Sequence, residues 1–210
     1  MVTTAQLDSL MDDLLRECPP ATTDAHTFLG AQFDKGLAWV HFDEGNGGLG
    51  LNPKLQRTIN ERIYAAGAPN PVARNPIGHG MCGPTVAVWG SPEQKKRYLR
   101  PLFTGEEVWC QLFSEPEAGS DLASLRTTAT KVDGGWRIQG QKIWTSRAQL
   151  AAHAILLART GGEPLALFGR AVQGHPLLHH AAALGVDRHV VVTLEAGLPP
   201  ADSQVVLKAT

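Results

Sequence analysis

Gln111-Leu112-Phe113-Ser114-Glu115-Pro116-Glu117-Ala118-Gly119-Ser120-Asp121 is the stretch on which the reading of this chain turns. An apolar strand closes on a hydroxyl at Ser114. Glu115 and Pro116 then make a rigid acidic turn, because proline fixes φ and removes a donor. Gly119-Ser120-Asp121 forms a corner that frees backbone N–H groups and adds a second hydroxyl. A planar, hydrogen-bonding cofactor with a phosphate tail uses all of these groups.

Working outward, residues 108–113 read as a strand. Residues 127–132 and 136–139 flank Asp133-Gly134-Gly135, a strong hairpin signal. Gly140-Gln141-Lys142-Ile143-Trp144-Thr145-Ser146 follows and sets an indole beside two hydroxyls. A tryptophan alone is more often core. Paired with the first stretch, it is better read as one wall of a site for a planar ring. Residues 143–145 and 154–160 read as further strands, and 190–194 as an isolated strand-like run.

The first half has a different period. Leu7, Leu10, Met11, Leu14 and Leu15 recur at helical spacing, so 4–17 reads as an amphipathic helix stopped by Pro19-Pro20. A second helix is expected over 24–39, with Phe28, Leu29, Phe33, Leu37 and Trp39 on its apolar side. Asn52 should cap a third helix, with Pro53 at its first position and Gly67 just past its end. Residues 77–89 are apolar with many small residues, as in a tightly packed buried helix. Ser91-Pro92 restarts a helix over 93–103. The expected fold class is therefore α+β. Residues 1–107 form a helical domain, and 108–210 form a small antiparallel, barrel-like β domain.

Composition narrows the function. Lys and Arg number 19 against 20 Asp and Glu, so nothing calls for nucleic acid or an anionic membrane. No apolar run is long enough to span a bilayer, and residues 1–16 lack the pattern of a signal peptide. Cys18, Cys82 and Cys110 form neither a metal pattern nor a disulfide framework, which suits a reducing cytoplasm.

Three other features have plainer explanations. Gly45-Asn46-Gly47-Gly48-Leu49-Gly50 fits the dinucleotide fingerprint, but helices flank it and no βαβ unit follows, so an inter-helix loop is the better reading. His175, His179 and His180 lack nearby carboxylate or Cys partners, so no metal site is assigned. Lys95-Lys96-Arg97 reads as a solvated helix face.

Several of these segments resemble the acyl-CoA dehydrogenases. They are Trp109 to Leu122, Gly140 to Ser146, and Gly90-Ser91-Pro92-Glu93-Gln94-Lys95-Lys96-Arg97-Tyr98-Leu99. The resemblance is dense from Leu37 to Thr160. It implies an N-terminal helical domain, a middle β domain and a C-terminal helical bundle, with FAD between the last two. By resemblance, Gln111, Leu112, Phe113, Ser114, Gly119, Ser120, Trp144, Thr145 and Ser146 line the cofactor. Ser114, where the family often has Thr, meets the isoalloxazine edge. Ser120 lies near the pyrophosphate and the arm of an acyl-CoA substrate, and Trp144 flanks the ring. The implied reaction is α,β-desaturation, with an electron-transfer acceptor downstream.

The resemblance also sets an expectation of loss. The family's general base is a carboxylate in the C-terminal bundle, and no segment here replaces it, so no catalytic residue is assigned. The usual continuation of the β domain after Ala158-Arg159-Thr160 is not evident. Residues 161–210 read either as a shortened end of that domain or as an out-of-frame tail. Competing with a truncated dehydrogenase are a non-catalytic subunit, in a homo- or hetero-oligomer with a dehydrogenase, and a gene remnant.

Overall fold

The computed structural model describes residues 4–132 and 135–160, together with the backbone of strands at 163–170, 192–193 and 205–209. They group into two compact units, residues 1–88 with 92–106, and residues 89–91 with 107–210.

The first unit is helical. Helix α1 (Thr4–Glu17) buries Leu7, Met11 and Leu14, one side chain per turn on a single face. Its Asp8 and Asp12 both pair with Arg62 of α3 (Leu55–Ala65). Helix α2 (Ala25–Asp34) is capped by Asp24, whose Oδ1 accepts from the His26 and Thr27 N–H groups. It ends at Asp34, five residues before the expected Trp39. Gly36 takes φ +74°, and the Leu37 N–H returns to Gln32 O, which closes the helix. Leu37 and Trp39 still reach the core, from the following loop. The Asn52 cap is also displaced. Its Oδ1 accepts from the Lys54 N–H at 3.0 Å, and the helix starts only at Leu55. Gly67 sits past the end of α3 with φ +87°.

The glycine-rich loop lies between α2 and α3. Gly48 has no alternative there, since a Cβ would lie 2.1 Å from Phe42 O. The loop surrounds an aromatic cluster in which Trp39 stacks on Phe42 and meets Phe103 edge-on, each at 5.0 Å between ring centres. Helix α4 (Pro71–Arg74) leads into a π-turn at Gly78–Cys82 and then α5 (Gly83–Trp89). This segment is not the uniformly buried helix expected over 77–89. Gly78, Cys82, Gly83 and Val86 face inward, while Val88 is 65% and Trp89 49% exposed. Helix α6 (Pro92–Thr104) buries Tyr98, Leu99, Leu102 and Phe103, and its Arg100 grips Asp34 of α2 with two 2.8 Å hydrogen bonds.

The second unit is a sheet. Strand β1 (Trp109–Leu112) runs parallel to β4 (His153–Thr160), with Trp109 opposite His153 and Leu112 opposite Leu156. Strands β2 (Thr128–Val132) and β3 (Gly135–Gln139) form the expected antiparallel hairpin, though residues 133–134 of its turn lie outside the described residues. β2 meets β4 at Thr128 and Arg159. β5 (Glu163–Arg170) continues antiparallel from β4, so the chain carries on past Thr160 as strand. β7 (Val205–Ala209) pairs with β3, and β6 (Val192–Thr193) with β7. The sheet is mixed, not purely antiparallel, because the long crossover through the hairpin brings β4 back parallel to β1. Among the described residues it is not closed into a barrel. The expected strand over 143–145 does not form. Trp144 and Arg147 take left-handed φ values of +57° and +62°, which no strand accommodates. Most of the 190–194 run lies outside the described residues, as do His175, His179 and His180.

Candidate cofactor site in the β unit

β1 delivers the first stretch. Cys110 and Leu112 are buried and Gln111 half-buried, in keeping with side chains that alternate along a strand. Burial pushes the Cys110 thiol up to about 12, so it is packing material and not a nucleophile. Leu112 is 1% exposed, which leaves only its backbone for a ligand. Gln111 is different. Its Oε1 is buried and has no hydrogen-bond partner among the described residues. Such an acceptor is costly to leave unmade.

After β1 the chain turns tightly. Glu115 N–H donates to Ala118 O at 2.8 Å, and Ala118 N–H returns to Glu115 O. The turn leaves Gly119 and Ser120 exposed, with open space where a Gly119 Cβ would sit. Glu115 itself folds inward, 6% exposed. Its carboxylate accepts from the Arg126 N–H at 2.6 Å, the Thr127 N–H at 2.9 Å and Lys142 Nζ at 2.8 Å. Burial works to raise this carboxyl, but the hydrogen bonds from Lys142, Thr127 and the Arg126 amide outweigh it and hold it down to about 2. Burial lowers Lys142 in turn, with Glu115 opposing.

Lys142 also donates to Phe113 O at 2.9 Å, and the next residue, Ile143, donates its N–H to Ser114 O at 2.9 Å. The two stretches singled out in the sequence therefore meet, edge to edge, at Ser114 and Ile143. Beyond that contact the chain swings out. Trp144 is 84% exposed, Thr145 half-buried and Ser146 exposed. A large aromatic side chain in the left-handed region costs roughly 1–3 kcal/mol and persists only where its surroundings fix it. Here the buried Lys142 anchors it from one side.

The donor set fits a flavin dinucleotide. Gln111 Oε1 is an unused acceptor for the imide N–H or ribityl hydroxyls of FAD. Trp144 is an unused aromatic plane. Ser114, Ser120 and the Gly119 corner offer small polar contacts for the ring edge and phosphates. No group of three or more metal-ligating side chains occurs among the described residues. Nor is any helix there long and apolar enough to cross a membrane. The Glu115–Lys142 pair escaped the sequence reading. Its only trace was one acid among the three of the first motif and the single base of the second.

Comparison with known proteins gives the family of both units. Residues 14–106 match the family model "Acyl-CoA dehydrogenase, N-terminal domain", and residues 110–178 match "Acyl-CoA dehydrogenase, middle domain". Acyl-CoA dehydrogenase FadE34 of Mycobacterium tuberculosis is 44% identical over 127 residues, covering 60% of this chain and 17% of that protein. Acyl-CoA dehydrogenase IpdE1 of the same organism is 42% identical over 125 residues, covering 60% and 32%. The chain thus spans well under half the length of these relatives. Among solved structures, the ChsE4-ChsE5 complex from Mycobacterium tuberculosis superposes on 80% of this chain and 47% of that one, with a TM-score of 0.53 and 27% identity.

Proposed function

This chain belongs to the acyl-CoA dehydrogenase family, and from that premise we propose that its β unit carries one wall of an FAD site serving α,β-desaturation of an acyl-CoA thioester. The helical residues 1–107 act as the family's N-terminal domain, and those from 108 onward as its middle domain. The observation that carries this reading is the 2.9 Å bond from Ile143 N–H to Ser114 O, which brings both motifs together beside an exposed Trp144.

Bound FAD supplies the hydride acceptor of the reaction. The chain's own residues bind and orient. Ser114 hydrogen-bonds the ring edge, Gln111 Oε1 accepts from a flavin donor, and Trp144 covers the ring, with Thr145 and Ser146 beside it. Leu112 and Phe113 contribute backbone. Gly119 and Ser120 receive the pyrophosphate, and Ser120 also receives the thioester arm of the substrate.

Neither glutamate of the motif serves as the base. Glu115 is committed to Lys142 and two amides with its carboxyl at about 2, far too weak to take an α-proton. Glu117 pairs with Arg126. The base in this reading lies outside these residues.

A second reading, a subunit that pairs with another dehydrogenase chain, is favoured by the two-component ChsE4-ChsE5 neighbour. In either case the setting is cytoplasmic, in keeping with three free cysteines, and a separate electron-transfer acceptor would take up the reducing equivalents. Gel filtration of the chain with excess FAD, with and without a full-length relative, tests both. Flavin eluting with the chain supports the site. A colourless protein peak under both conditions sinks it, and a chain that never shifts in elution with the relative sinks the subunit reading.

A further inference from the structure

We infer that Lys142 and Glu115 are positioning residues for the flavin site, a buried clamp that sets the Ser114 edge against the Trp144 loop. This rests on the FAD reading above. The clamp ties three separate segments. Lys142 Nζ donates to Glu115 Oε1 at 2.8 Å and to Phe113 O at 2.9 Å. The same carboxylate accepts from the Arg126 and Thr127 N–H groups. Ile143, next to Lys142, donates to Ser114 O. Each charged residue is therefore one or two positions from a residue assigned to FAD.

Stability alone does not account for such a pair. Its side chains are 2% and 6% exposed, and taking two charges out of water costs about what their attraction returns. Matched neutral residues often fold as well or better. What neutral residues lack is the ability to fix the Phe113 carbonyl and two amides in one geometry. Trp144 supplies the second argument. Its φ of +57° is unfavourable for a tryptophan and needs a rigid anchor, and Lys142 is the buried residue on its N-terminal side.

The test compares the full parent chain with the double variant Glu115→Gln/Lys142→Met, which removes both charges at similar volume and keeps a carbonyl oxygen where one of the two amides donates. Three quantities are read: the urea midpoint, the Kd for FAD, and hydrogen exchange at the Ile143 N–H. The clamp predicts a midpoint near the parent's, FAD binding weakened by on the order of tenfold or more, and faster exchange at Ile143. A double variant that binds FAD like the parent overturns the inference while leaving the flavin site standing. A parent that takes up no FAD overturns both, and that result is visible before any variant is made. Should the double variant not fold, Lys142→Arg decides. It keeps the charge but moves the donors, so parent-like FAD affinity there also overturns the clamp.

Discussion

The Ser114 carbonyl oxygen accepts a hydrogen bond from the Ile143 N–H at 2.9 Å, across 29 positions of sequence. It lies outside any regular strand ladder, yet it joins the two motifs that identify the family. Ile143→Pro deletes this donor and leaves the half-buried Ser114 carbonyl unmet. The expected loss is about 1–3 kcal/mol in urea unfolding of the β unit. A variant with parent stability would mean the two motifs are held together by something else.

Acid should act through two groups. The Glu115 carboxyl is lowered in the folded chain from 4.5 to about 2. Its contribution is therefore present above pH 4.5 and is lost as pH falls toward about 2, a term of roughly 3 kcal/mol before the opposing cost of burying Lys142. Burial lowers His79 from 6.5 to about 4, where its Nδ1 accepts from Trp39 Nε1 at 3.1 Å. The folded chain keeps this imidazole neutral, so its contribution is full above pH 6.5 and falls toward about pH 4. Urea midpoints measured from about pH 7 down to about pH 2, at roughly unit steps, should drop in two stages. His79→Gln should remove the upper stage and Glu115→Gln the lower. A single stage unaffected by His79→Gln would contradict the assignment.

Gly140 has no room for a side chain. A Cβ there would lie 2.2 Å from Thr127 Oγ1 and 2.7 Å from Thr127 Cα. Thr127 cannot yield freely, because its N–H holds Glu115. Gly140→Ala is expected to cost about 1–3 kcal/mol through overpacking, whereas Gly119→Ala, with open space around it, should cost little in stability. Equal losses at both positions in thermal unfolding would refute this packing.

Trp144 trades stability for contact. Trp144→Gly relieves the left-handed φ of +57° and removes a mostly exposed side chain, so the free chain should gain about 1 kcal/mol in urea unfolding. The same variant should bind FAD less tightly. A loss of stability would show that the indole is packing and not poised for a ligand.

Much of this was legible in the sequence, for identifiable reasons. Leu7, Met11 and Leu14 repeat at helical spacing and are buried, and α1 spans the predicted residues. The hairpin announced by Asp133-Gly134-Gly135 aligns β2 with β3. The errors come where tertiary contacts override local pattern. Apolar Leu37 and Trp39 extend the helical signal past Gly36, but they are buried from a loop. Residues 143–145 look like a strand because Ile, Trp and Thr favour strands. The buried Lys142 pins the chain just before them, and Trp144 turns out of the sheet instead. The parallel pairing of β1 with β4 depends on the path of the chain between them, which no local pattern encodes.

The central claim is that the Ser114 and Trp144 segments bind FAD, and fluorescence reads it most directly. The full chain is titrated with FAD, and tryptophan emission is followed for the parent and for Trp144→Phe. The account predicts saturable quenching in the parent that is largely lost in the variant, although four other tryptophans remain. No saturable quenching in the parent, or identical quenching in both proteins, would contradict it.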